Sequence, residues 1–147
     1  MNVYFVCTGN TCRSPMAAAI LKNKKIEHLQ VKSAGVYTVD GVPMSANAQA
    51  VLSEMEIDFT HSSKLLSQED VRWADIILTM TAAHKRAILQ MYPEANVKTF
   101  TLTEFIEQPH LGDVDDPFGG TITDYKKTFN QLNHYIELAE NRLRKGS

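Results

Sequence analysis

Six residues near the amino end, Asn2 to Cys7 (NVYFVC), are mostly β-branched or aromatic and stop abruptly at Thr8-Gly9-Asn10. A short apolar run bounded by turn residues reads as a buried strand. A helix is expected directly after the turn: Pro15 suits a first helical residue, Ser14 is a candidate N-cap, and Met16, Ala17, Ala19, Ile20 and Leu21 are helix formers. The chain therefore begins as strand, tight loop and helix. If the alternation continues, helices must layer on a mainly parallel sheet with right-handed crossovers.

It does continue. Gln30 to Ser33, closed by Ala34-Gly35, is a second strand, and Ser45 to Glu56 has the caps and periodicity of a second helix. Ser67 and Asp70 resemble a capping box for a short helix through Arg72, followed by Ala74 to Met80, the strongest central strand. Thr81 can cap a helix to about Met91, Val97 to Thr101 is a fourth strand, and Leu102 to Glu107 reads as a helical turn or two. Tyr125, Phe129, Leu132, Ile136, Ala139 and Leu143 recur at spacings of four and three, one apolar helix face. The expected fold is α/β: a three-layer, flavodoxin-like domain with a central four-stranded parallel sheet and helices on both faces.

With 147 residues and 44% hydrophobic content, the chain supplies one compact domain over 1–147. Val3 to Cys7 is too short for a signal segment, no basic residues precede it, and no stretch is long enough to span a bilayer. A soluble cytoplasmic monomer is expected. Fifteen basic and seventeen acidic residues give a net charge of −2 without long blocks of either sign, which points to neither nucleic acid nor a membrane. The two cysteines, Cys7 and Cys12, are too close to staple a fold and suit a reducing compartment.

Ligands of such folds bind at the carboxyl ends of strands, where the segment Cys7-Thr8-Gly9-Asn10-Thr11-Cys12-Arg13-Ser14 lies. Gly9 and Asn10 tolerate the positive φ that turns successive N–H groups inward, and the helix start adds its positive dipole end. Arg13 can close this anion cradle with two parallel N–H bonds to phosphate oxygens. The same field favours the thiolate of Cys7, with the Ser14 hydroxyl as a donor to the sulfur. A ring of donors around the equatorial oxygens is what phosphoryl transfer needs, and no metal or cofactor is required. Cys-x5-Arg alone is a weak pattern; the strand before, the helix after and the Gly-Asn between make it strong. A buried structural Cys7 or a solvated Arg13 fits the surroundings less well, since an unpaired arginine opposes the helix dipole.

A leaving group needs a proton, and Asp113-Val114-Asp115-Asp116-Pro117-Phe118-Gly119-Gly120 combines acids with loop residues. Pro117 stiffens its predecessor, so Asp116 is best placed as general acid and, in a second half-reaction, as general base. Asp113 and Asp115 read as ordinary solvated charges. The five histidines show no metal-ligand spacing, no glycine-flanked serine suggests a hydrolase elbow, and no lysine closes a nucleotide P-loop.

The run Val6 to Pro15 resembles the active-site signature of the low-molecular-weight protein tyrosine phosphatase family. The resemblance extends through Ser33-Ala34-Gly35, Ala74-Asp75, Ile77-Leu78, Met80 and Asp116-Pro117. It implies a cysteine-dependent phosphatase with catalytic Cys7, Arg13 and Asp116, acting on phosphorylated proteins. The loop from Thr8 to Ser14 would bind phosphate, and Phe118 would form a flat wall for phenol or guanidinium alike. Bacterial protein-arginine phosphatases are similar in carrying a threonine where Thr11 stands; tyrosine-directed members usually carry a larger aliphatic residue. That shifts the expected substrate toward phosphoarginine, with phosphotyrosine as the alternative. Gly119-Gly120 replaces the aromatics common in tyrosine-directed relatives and leaves a barer rim. Family members often have a histidine behind the loop, where His61 falls, but a surface residue fits as well. Many also keep an acid after the third strand, where this chain has Thr81, a departure that would loosen how Arg13 is held.

Cys12 is close enough to Cys7 to trap an oxidised Cys7 as a reversible disulfide, a reading balanced against simple loop filling. Two other classes compete: a non-catalytic phosphate-binding module, and a cysteine-based arsenate reductase, whose relay needs further cysteines that this chain lacks.

Overall fold

The computed structural model describes residues 1–145. Four parallel strands, β1 (Asn2–Cys7), β2 (Gln30–Gly35), β3 (Ile76–Thr79) and β4 (Thr99–Thr101), form one sheet in the order β2-β1-β3-β4. Among the described residues six α-helices surround it: α1 (Arg13–Asn23), α2 (Ala46–Glu54), α3 (Gln68–Trp73), α4 (Ala82–Met91), α5 (Leu102–Phe105) and α6 (Ile122–Lys145). The expected three-layer α/β architecture is what the chain adopts.

Strand alternation explains the layers. Val3, Phe5, Cys7, Ile76 and Leu78 point to one face and pack against α1, α2, α5 and α6. Tyr4, Val6 and Ile77 point to the other, against Val71 of α3 and Ile88 of α4. Both faces of β1 and β3 are buried, which is why these strands read as continuous apolar runs. All six apolar positions expected along the last helix are buried, and that helix packs on α1 and α2.

Several boundaries move for identifiable reasons. Ser14 does not cap α1: Cys12 holds the cap position without a side-chain hydrogen bond, and Ser14 lies inside the helix. Ser67 does cap α3 by accepting from Asp70 N–H, but the Asp70 carboxylate turns to Lys32 Nζ at 2.8 Å instead of closing a box. The third strand is shorter than expected, because Ala74 ends α3 and Asp75 is held by Asn2, its N–H donating to Asn2 O at 2.8 Å. The fourth is also shorter: Pro93–Lys98 winds as a 3-10 turn that leaves Val97 in solvent and aims Lys98 Nζ at the carbonyls of Val71 and Ala74. Among the described residues no helix is long and apolar enough to cross a membrane.

Candidate active site

β1 ends at Cys7 and α1 begins at Arg13, so the loop between them closes at the carboxyl edge of the sheet. The chain leaves β1 for β2 on one side and later returns to β3 on the other, which makes this edge a topological switch point. A cavity of about 230 Å³ opens there, lined by Cys7 to Arg13 together with Asp116 and Phe118.

Cys7 Sγ lies on its floor, 2.8 Å from Ser14 Oγ, and accepts from Asn10 N–H at 3.3 Å. Burial pushes the Cys7 thiol pKa up, while the Ser14 hydroxyl, the Arg13 charge and the Asn10 N–H oppose it. Ser14 does not line the cavity and instead stands behind the sulfur. Its Oγ accepts from Asn10 Nδ2 at 2.8 Å, and its one proton lies within reach of both Cys7 Sγ and the Ala34 carbonyl, the latter at 3.4 Å.

Asn10 is the residue that shapes the loop. Its φ of 58° is left-handed, as expected, whereas Gly9 keeps an ordinary negative-side conformation and does not share that duty. Fully buried, Asn10 donates to Ser33 Oγ at 3.0 Å, accepts from Lys64 N–H at its Oδ1 at 2.9 Å, and accepts at its carbonyl from His61 Nε2 at 2.7 Å. His61 therefore supports the loop from behind and is not a free surface residue; burial lowers its pKa, and its ring stacks on Phe59. Gly35 lets the loop approach β2: a Cβ there would come within 2.4 Å of Thr8 O. The carbonyls of Cys7 and Thr8 accept from Val36 and Tyr37 N–H at 2.9 and 3.0 Å.

Arg13 is 5% exposed. Its Nη1 donates to Val114 O at 3.2 Å and its Nη2 lies 3.5 Å from Asp116 Oδ2. The Val114 carbonyl thus holds the arginine despite Thr81 standing where an acid was expected. Thr81 caps α4, accepting from His84 N–H at 3.1 Å. Asp113 is not merely solvated: its Oδ1 accepts from Ala82 N–H at 2.9 Å and ties the acid segment to the start of α4. Asp116 accepts from Phe118 N–H at 3.0 Å and is about half exposed. Phe118 projects into solvent at the rim. Gly119-Gly120 has a backbone cause as well: Gly119 has φ 78°, and a Cβ at Gly120 would meet Pro117 O at 2.9 Å.

Thr11 and Cys12 complete the wall. Thr11 O accepts from Ser45 N–H at 3.0 Å. Cys12 Sγ lies 3.4 Å from Tyr125 OH and 3.5 Å from Ser45 Oγ, and both cysteines are free thiols. Burial, reinforced by the Cys12 contact, raises the Tyr125 hydroxyl pKa. Among the described residues no three His, Cys, Asp or Glu side chains cluster as metal ligands.

A thiol on the floor, an arginine in the wall and a carboxylate above form an arrangement able to bind a phosphoryl group, attack it and protonate what leaves. The sequence reading assigns no role to His84 or Val114, takes Asp113 as a solvated charge, and names Gly35 only as a strand end and within the family resemblance. Their one available signal was position, each lying at or just past the carboxyl end of β2 or β3 or in the acid segment itself.

The chain is similar to known proteins along most of its length. The protein-arginine-phosphatase of Geobacillus stearothermophilus is 48% identical over 94% of this chain and 93% of its own. A low molecular weight protein-tyrosine-phosphatase, PtpB of Staphylococcus haemolyticus, is 38% identical over 92% and 95%. A solved structure of the YwlE arginine phosphatase, a cysteine-to-serine mutant with a phosphorylated active-site serine, superposes with a TM-score of 0.94 at 38% identity, covering 99% of this chain and 97% of that one. The family model described as low molecular weight phosphotyrosine protein phosphatase matches residues 2–146, so this chain belongs to that family.

Proposed function

We propose that this chain is a cysteine-dependent protein phosphatase that hydrolyses phosphoarginine on proteins through a phosphocysteine at Cys7. The observation that carries the chemistry is Cys7 Sγ on the floor of a cavity whose walls include both Arg13 and Asp116. Cys7 attacks phosphorus as thiolate, held by Ser14, Asn10 N–H and Arg13 against the burial that opposes its charge. Arg13 and the loop N–H groups receive the equatorial oxygens. Asp116 gives its proton to the departing guanidine nitrogen, leaving arginine and the cysteinyl phosphate. In the second half, the Asp116 carboxylate takes a proton from water as its oxygen attacks phosphorus, and Cys7 leaves as thiolate with inorganic phosphate released.

For the substrate, Thr11 lines the cavity with a short polar side chain, suited to a planar cationic guanidinium, where an aliphatic residue would pack on a phenol. The name of the Geobacillus relative supports the same reading. Phosphotyrosine is the second reading, favoured by the exposed Phe118 ring and by the name of the staphylococcal relative. Hydrolysis of phosphoarginine and phosphotyrosine side by side tests the choice: phosphoarginine is expected to turn over faster, and Thr11→Ile to shift preference toward phosphotyrosine. Unchanged relative rates in the variant would sink the role given to Thr11. A non-catalytic module would show no phosphate on Cys7 after rapid quenching. Peroxide would convert the Cys7 thiolate to sulfenic acid, which the Cys12 thiol condenses with to a disulfide and water, and an added thiol reverses. Cys12→Ser is expected to recover less activity after that cycle.

A further inference from the structure

Thr8 follows the nucleophile and lines the cavity, and its Oγ1 lies 2.8 Å from Nε2 of His84. His84 is the third residue of α4 and is 5% exposed. Nδ1 of the same ring is buried and has no hydrogen-bond partner among the described residues. A neutral imidazole carries one proton, and its two tautomers leave different atoms unpaired. A proton on Nδ1 would bury an N–H with no acceptor. A proton on Nε2 leaves only an idle lone pair, and orphaned donors are the rarer of the two in folded proteins. Burial lowers the His84 pKa to about 4, with the Arg13 charge acting in the same direction against Asp113 and Asp116, so the neutral ring persists at neutral pH.

The tautomer decides where the Thr8 hydroxyl points. If Nε2–H donates, Thr8 Oγ1 is the acceptor and its own proton is free for another partner. We propose that His84 is a positioning residue whose Nε2–H fixes Thr8 Oγ1 as an acceptor, so that the Thr8 hydroxyl donates to a phosphoryl oxygen of the bound substrate. The backbone ring of donors thereby gains a side-chain member from a loop residue tied to α4. This inference rests on the phosphatase reading above and adds to it His84 and a side-chain role for Thr8.

The test is a double-mutant cycle on p-nitrophenyl phosphate, which either substrate preference should accept. Thr8→Val and His84→Ala should each lower kcat roughly tenfold, about one hydrogen bond's worth in the transition state, with KM little changed. The double variant should be no slower than the worse single, and His84→Gln, which keeps a donor at a similar reach, should recover most of the loss. Multiplying losses in the double variant would overturn the proposal. Nitrogen-15 NMR of histidine-labelled wild type gives an answer independent of how variants fold: the proton is expected on Nε2, and a proton on Nδ1 would refute it. A wild type inert toward both phosphoarginine and the aryl phosphate would defeat the phosphatase reading and this one with it, whereas an active wild type with multiplying losses defeats this one alone.

Discussion

The phosphate loop and the acid segment face each other across one cavity, yet they are built differently. In the loop, Cys7, Asn10, Arg13 and Ser14 are each at most 5% exposed, and Asn10 alone bonds to Ser14, Ser33, His61 and Lys64. In the acid segment, Asp116 is half exposed, Phe118 is 77% exposed, and the carboxylate is oriented by a local N–H and a 3.5 Å contact to Arg13. The contrast fits the proposed tasks. An anion cradle works only if its donors are already fixed when charge develops, because reorganising dipoles would consume the gain. A group that first gives and then takes a proton must exchange with water between the two steps, and a half-exposed position allows that.

Four experiments can break or sharpen this contrast. Cys7→Ser should reduce turnover of every phosphorylated substrate to background while leaving the fold intact, measured by phosphate release and circular dichroism; residual turnover would place the nucleophile elsewhere. Asp116→Asn should slow phosphoarginine hydrolysis by roughly 10²–10⁴-fold, the usual yield of general acid catalysis. The loss should shrink on p-nitrophenyl phosphate, whose phenolate leaves without a proton, and an equal loss on both would assign Asp116 a binding role.

Asn10→Ala should cost about 3 kcal/mol in urea unfolding, since it strands groups on Ser14, Ser33 and Lys64 that the side chain alone bonds. The equivalent removal in the acid segment, Phe118→Ala, should cost less than about 0.5 kcal/mol, because the ring is already in solvent. Similar costs would erase the contrast. A fourth test concerns pH. His84 stays neutral in the fold down to about pH 4, whereas the unfolded chain protonates it near pH 6.5, so the unfolded state holds more protons between those values. Stability from this group is complete above about pH 6.5 and falls with acidification, reaching about 2 kcal/mol lost at pH 5. His84→Gln should flatten that part of the profile; a parallel profile would show that His84 is not buried neutral.

Much of this was legible from local pattern. The strand ending at Cys7, the left-handed turn at Asn10, the Arg13 spacing and the apolar face of α6 all express preferences that act within a few residues. The reading failed where a residue's partner is distant. Ser14 looked like a cap because a serine before Pro15 usually is one, but the tertiary contact with Cys7 and Asn10 claimed its hydroxyl. Asp113 looked solvated because nothing near it in sequence needed an acceptor; the needy group was the N–H of Ala82.

The sequence by itself determined the α/β alternation, the loop between β1 and α1 and the residues proposed to carry the reaction, because helix and strand periodicity and loop φ preferences are local. The tertiary structure alone decided what holds those residues in place: Val114 O on Arg13, His61 on Asn10, His84 on Thr8, and Gly35 under the loop. The three hydrogen-bonding partners lie 51 to 101 residues from the loop positions they bond, brought together by parallel crossovers that bury both faces of the sheet. A single hydrogen bond across such a distance leaves no periodic trace in the chain. The loop could therefore be named from its own residues, while the supports that make it rigid could be seen only once the strands were side by side.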